Sequence, residues 1–320
     1  MRLVSFQRSD AASVEAGVLD DGSVIPVRQL VDIAHAVVDR DPPERLRSAD
    51  PVTMEVLLDG FGEHQPLLEA ALAEIDDSQG LSREDVYLHP PVPTPPSLRD
   101  FYAFEGHVSR SWKRRGEPVP DAWYEIPVFY FSNPAATYGP GQPVPRPNST
   151  RALDFELEAA WIVGKRARDL DETEAENAIV GLTIMDDFSA RDVQKQEMSV
   201  GLGPSKGKDF ATALGPAIVT LDELPRTDEG HFDLTMEAYV DGERISQGNL
   251  DQLQYTIAEM TAHASRDTWL QPGDVMGTGT VGTGSTLDQG TEEWLEPGQT
   301  VRLEIEGLGT LENEIVDPGA

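Results

Sequence analysis

The chain contains no cysteine. That absence excludes disulfides, thiolate metal sites and a cysteine nucleophile. Lysine is nearly as scarce, occurring only at positions 113, 165, 195, 206 and 208 beside twenty arginines. Positive charge is short overall, since 25 basic residues face 57 acidic ones and leave a net charge of −32. Nucleic-acid phosphates and an anionic membrane surface would both be repelled, so neither is an expected partner. Long apolar runs are missing too, and residues 1–28 do not resemble a signal peptide, so a cytoplasmic protein is expected. An acidic, lysine-poor surface suits high salt, where self-repulsion is screened, and it fits a GC-rich source equally well. In such a protein an anionic substrate needs local positive charge, and Arg191, Lys206 and Lys208 supply it within one short stretch.

At 320 residues the chain can hold one large domain or a small one followed by a larger one. Residues 1–6, 16–19 and 23–26 read as short strands, with a hairpin turn at Asp21 and Gly22. Residues 30–39 and 66–75 have helical spacing. The proline-rich run 89–97 then closes a small N-terminal unit, so the expected division is 1–90 and 91–320. Beyond it, strands are predicted at 128–131, 154–163, 217–220, 234–240, 275–278 and 300–306. Helices are fewer, at 173–178 behind a T-x-x-E cap of Thr173 and Glu176, and at 255–264. The expected class is α+β, mainly β.

In D-F-E-L-E-A-A-W-I-V-G the acids Glu156 and Glu158 alternate with apolar residues, which places both on one face of a strand. An E-x-E pair on a solvated strand is ordinary in so acidic a chain. Here, however, the apolar run from Ala159 to Val163 marks the edge of a core, where two carboxylates need a partner. The following M-D-D-F-S-A-R-D-V-Q adds another acid. Oxygen donors without cysteine or paired histidine suit Mg2+, Ca2+ or Mn2+ better than zinc.

The motifs D-F-Y-A-F-E-G-H, W-Y-E-I-P-V-F-Y, L-D-F-E-L-E, M-D-D-F-S-A-R-D-V-Q, G-K-D-F-A-T and L-Q-P-G-D-V-M-G-T-G-T-V-G occur in that order. Over residues 97–316 the chain thereby resembles the fumarylacetoacetate hydrolase family. The resemblance implies a mixed β-roll or sandwich catalytic domain behind a small β-rich N-terminal one, in a homodimer. It implies that Asp100, Glu156, Glu158 and Asp187 surround Mg2+, or Ca2+ or Mn2+, and that His107 is the general base. It also implies a pocket lined by Tyr102, Tyr130, Arg191 and Thr280, with Lys208 and Gln194 stabilising an oxyanion.

Relatives orient the histidine with a glutamate, but position 110 is arginine here and the segment after the glycine-rich turn offers Asp288. Aspartate is one methylene shorter, so a looser or water-mediated contact is expected, with Glu292 and Glu293 as second choices. The turn itself, G-T-G-T-V-G-T-G, lacks the Lys-Ser/Thr of a phosphate loop. The implied activity is cation-dependent hydrolysis of a carbon–carbon bond in a small anionic 1,3-diketo acid. The alternatives are decarboxylation, isomerisation or dehydration of a 2-oxo acid on the same scaffold, or a decayed binding protein.

Overall fold

Alternation along the strand Leu157–Val163 divides the interior in two. Leu157, Ala159, Trp161 and Val163 enter one core, shared with Met236, Leu303 and Leu311, whereas Ala160 and Ile162 enter another with Leu30, Leu58 and Phe61. This is the period of two that a strand buried on both faces requires. The structure is a computed structural model that describes all residues except 21, 38–40, 76–78, 292 and 320.

Among the described residues the main sheet has twelve strands. Its path runs Leu81–Ser82, Ser23–Pro26, Val14–Asp20, Arg2–Arg8, Thr212–Thr220, Ile179–Asp187, Leu157–Val163, Val275–Gly277, Leu98–Phe101 and Phe129–Ser132, with Val86–Leu88 and Thr137–Tyr138 attached at the side. A second, five-stranded sheet built on Thr235–Val240, Thr300–Ile305 and Gly309–Val316 covers the Trp161 side. On the opposite side lie the N-terminal helices Val27–Val37, Met54–Leu58 and Phe61–Leu72. The protein is thus mostly sheet with several helices, as its patterning predicts. The N-terminal strands extend the main sheet, because Leu3 pairs with Ile218. No helix among the described residues is long and apolar enough to cross a membrane.

The elements differ from expectation where local signals compete. The predicted T-x-x-E cap gives way to a capping box two residues earlier, in which Asp171 and Glu174 exchange hydrogen bonds and start the helix Glu172–Glu176. Aspartate accepts the orphan amide as well as threonine does, and the apolar spacing begins no later. The expected strand 154–163 is interrupted at residues 155–156, leaving Leu153–Asp154 to pair with Ser189–Ala190. Residues 89–97 carry no helix or strand, yet the segment packs closely, with Val92 in the core and the Ser5 hydroxyl bound to the Pro91 carbonyl. Residue 21 of the predicted hairpin turn, and the end of the helix predicted at 30–39, lie outside the described residues.

Candidate active site

Sheet register assembles the acids. Directly paired residues share a face, as do residues two apart on one strand. Asp100 pairs with Gly277, and Gly277 pairs with Ala160, two residues beyond Glu158. Glu158 pairs with Met185, two residues before Asp187. Asp100, Glu158 and Asp187 therefore project from one face of three strands, and Glu156 joins them from the break just before its strand. One oxygen from each of the four lies within 4.8 Å of the others, and all four residues are buried.

The space among them is kept open by glycine. A Cβ at Gly277 would stand 2.7 Å from Asp100 Oδ1 and 3.1 Å from Glu158 Oε2, besides striking Met185. Gly279, at φ +81°, turns its amide onto both acids, 3.1 Å from Asp100 Oδ1 and 3.0 Å from Glu158 Oε2. Its conformation disfavours any side chain, and the Phe101 carbonyl oxygen would lie 2.5 Å from its Cβ.

The electrostatics of this cluster are uneven. Burial, then the neighbouring Asp187, pushes Asp100 up to about 7. Burial and the adjacent acids raise Glu158 well above the carboxylate range, and burial raises Asp187. Burial also acts on Glu156, but Arg191 and Lys208 outweigh it and hold this carboxylate far below its usual value. Lys208 donates to both Glu156 and Asp187. Although burial opposes its charge, Asp187 and Glu156 keep it protonated well above the ordinary lysine range. One oxygen, Asp187 Oδ1, is buried without a hydrogen-bond partner. Four converging carboxylates, an open cradle and an unsatisfied oxygen fit a hard divalent cation.

Arg191 bridges two acids, its Nε 2.8 Å from Asp154 Oδ2 and its Nη2 2.8 Å from Glu156 Oε1. Gln194 is drawn in by Arg191 Nη1 at 3.3 Å. The Tyr130 hydroxyl lies 2.7 Å from Asp100 Oδ2 and also hydrogen-bonds Asp187. Thr280 donates to Glu158 at 3.3 Å. Lys206, by contrast, is exposed and pairs with Asp209 at 2.9 Å.

His107 and Val108 are the buried residues of the polar helix Glu105–Arg115. His107 Nδ1 hydrogen-bonds Asp288 Oδ2 directly, without the slack expected of the shorter acid. The reason is local, since the one-turn helix Thr286–Gln289 presents Asp288 toward the imidazole, and Ser285 caps that helix through the Asp288 amide. Arg114 Nη1 stands 3.4 Å from the other oxygen of Asp288. Glu293 is exposed, and residue 292 lies outside the described residues. Tyr102 packs edge-on against His107 with ring centroids 5.3 Å apart. His107 is also among the groups that act on Glu156, linking the pair to the acidic cluster. Asp154 continues the alternation of Glu156 and Glu158 one step earlier, and that spacing is the signal in the sequence that points to it.

Residues 97–316 match the family model described as fumarylacetoacetate (FAA) hydrolase C-terminal. An oxaloacetate tautomerase of Xenopus laevis is 30% identical over 318 residues, which are 99% of this chain and 90% of that protein. The fold is shared with fumarylacetoacetate hydrolase from psychrophilic Exiguobacterium antarcticum, at TM-score 0.71, 23% identity and 99% coverage of both chains. It is shared equally with maleylpyruvate hydrolase from Sphingobium sp. SYK-6, whose crystals hold manganese(II) and pyruvate, at TM-score 0.71, 23% identity and coverage of 99% and 100%.

Proposed function

The chain belongs to the fumarylacetoacetate hydrolase family, and from its site we propose that it is a cation-dependent hydrolase of a small 1,3-diketo acid. The observation that carries this reading is the buried His107–Asp288 pair beside four converging carboxylates. Asp100, Glu156, Glu158 and Asp187 would hold Mg2+, or Ca2+ or Mn2+, which when bound supplies positive charge to substrate oxygens. With Nδ1 engaged by Asp288, Nε2 is the nitrogen of His107 left to take a proton from water. The resulting hydroxide oxygen bonds to one carbonyl carbon as the π pair of that carbonyl moves onto its own oxygen, and the oxyanion so formed accepts hydrogen bonds from Lys208 and Gln194. Collapse breaks the bond to the carbon between the carbonyls. That carbon leaves with the electron pair as an enolate and receives the proton held by His107. Tyr102, Tyr130, Arg191 and Thr280 complete the pocket wall in this reading.

A second reading is favoured by the similarity to an oxaloacetate tautomerase across nearly the whole chain. The same histidine could carry a proton between carbon and oxygen of a 2-oxo acid without any attack by water. Assays of the purified protein with acetylpyruvate, fumarylpyruvate and enol-oxaloacetate, with and without Mg2+, separate the two. The hydrolase reading expects cation-dependent loss of the diketone. In His107→Ala that rate should drop by roughly 10²- to 10⁴-fold with cation binding retained. Conversion of enol-oxaloacetate with intact diketones would establish the tautomerase instead. No turnover of any of the three would leave only a binding protein.

A further inference from the structure

Asp154 is completely buried, and its two oxygens receive four hydrogen bonds. Oδ1 accepts from the amides of Phe155 at 3.0 Å and Thr286 at 2.9 Å, while Oδ2 accepts from Arg191 Nε at 2.8 Å and the Leu287 amide at 3.1 Å. A carboxylate has about four acceptor sites, so this one is saturated. Its donors lead in two directions. Through Arg191 they lead to Glu156, which the other arm of the guanidinium holds at 2.8 Å. Through Thr286 and Leu287 they lead to the short helix Thr286–Gln289, whose Asp288 grips His107.

The helix needs such an anchor. The first amides of any helix lack an internal partner, and in a single turn these are nearly all the amides there are. Ser285 satisfies the amide of Asp288, which leaves those of Thr286 and Leu287 to Asp154. Gln289 Nε2 ties the far end of the helix to the Thr283 and Ile245 carbonyls, at 2.8 and 3.0 Å, so Asp154 is the acceptor that fixes its first turn. We propose that Asp154 is a positioning residue that fixes the acidic cluster and the His107–Asp288 pair relative to each other. The proposal takes from the hydrolase reading only the reason why the two must be aligned.

Asn at this position is nearly isosteric but turns an NH2 toward one pair of donors. Asp154→Asn should therefore weaken Mn2+ binding, measured by calorimetry, by about 10- to 100-fold, the range seen when outer partners of metal ligands are altered. It should also abolish the downfield Nδ1–H proton resonance of His107 that the wild-type protein is expected to show while Asp288 shields that hydrogen from exchange. Two further variants break one branch each. Thr286→Pro deletes a single amide at a first helical position that tolerates proline, and should lose the resonance while keeping Mn2+ affinity. Arg191→Lys cannot span both acids and should weaken Mn2+ binding while keeping the resonance. Wild-type behaviour of Asp154→Asn in either measurement would overturn the proposal. Should that variant not fold, an intact resonance in Thr286→Pro would overturn it. Neither measurement requires turnover, so a wild-type protein inactive on diketones would sink the hydrolase reading and leave the role of Asp154 standing.

Discussion

Replacing Lys208 with methionine tests whether the ammonium and a divalent cation answer to the same carboxylates. Lys208 is 4% exposed and donates to both Glu156 and Asp187. Methionine keeps the length of the side chain but removes the charge, leaving Glu156 with Arg191 and Asp187 with the Tyr130 hydroxyl. Breaking a buried ion pair from one side costs about 3–5 kcal/mol, because the surviving charge stays buried. Against a total stability of about 5–15 kcal/mol that is a large loss, easily read in urea unfolding with EDTA present. A cation that binds only the folded state returns about 2.7 kcal/mol at a hundredfold excess over its Kd. Because it no longer competes with Lys208, its affinity should also rise. Linkage requires the two effects to match: the cost of the substitution in EDTA minus its cost in saturating Mg2+ equals the gain in binding free energy. Halving the cost, by about 1.5–2.5 kcal/mol, corresponds to a Kd roughly 10- to 60-fold tighter. Unfolding curves with and without Mg2+, together with calorimetric Kd values, close the cycle. An equal cost under both conditions, with Kd unchanged, would refute the idea that the cation and Lys208 share Glu156 and Asp187.

Further outcomes follow from the same geometry. Asp100 titrates at about 7 in the folded protein, so between about pH 4 and 7 the native state keeps a proton that the unfolded chain has released. The stability that Asp100 contributes in EDTA should accordingly be fully present below this window and be lost as pH rises through it, by at most about 4 kcal/mol, and saturating Mg2+ should flatten the curve; a wild-type pH dependence identical to that of Asp100→Asn would contradict it. Gly277→Ala places a methyl among Asp100, Glu158 and Met185 and should abolish Mn2+ binding detectable by calorimetry, whereas wild-type affinity would show the cradle to be irrelevant. If Arg191 or Lys208 receives a substrate carboxylate, kcat/KM for acetylpyruvate should exceed that for neutral acetylacetone by more than about tenfold, and equality would leave both as structural counter-charges.

The alternation around Glu156 and Glu158 was legible because a strand buried on both faces repeats every two residues, and it located half of the acidic cluster. The M-D-D segment offered a further acid, but Asp187 in particular, and Asp100 altogether, are assigned to the cluster by family resemblance. Their approach depends on which strands lie side by side, and no local pattern records that Asp100 sits opposite Gly277. The strand that delivers Asp187, Ile179–Asp187, is buried throughout, and a continuous apolar run carries no period to distinguish strand from helix. The helix holding His107 was hidden for the opposite reason, since its polar length buries little more than His107 and Val108. Asp288 was chosen over Glu293 on sequence position, and the direct contact with His107 rests on the cap at Ser285 and the grip of Asp154, neither of which spacing reveals.

The parallel pairing of Leu98–Phe101 with Val275–Gly277 also bears on the order in which the molecule assembles. Asp100 meets Glu158 only after the chain has closed a loop over more than half its length, a step whose entropy must be lost before any contact compensates it. The antiparallel neighbours Leu157–Val163 and Ile179–Asp187 can zip together much earlier. Mutual repulsion among the acids therefore weighs on the finished fold rather than on the barrier leading to it. Replacing an acid that burial forces to take up a proton, as in Glu158→Gln, should lengthen the lifetime of the cation-free native state while leaving its rate of formation unchanged.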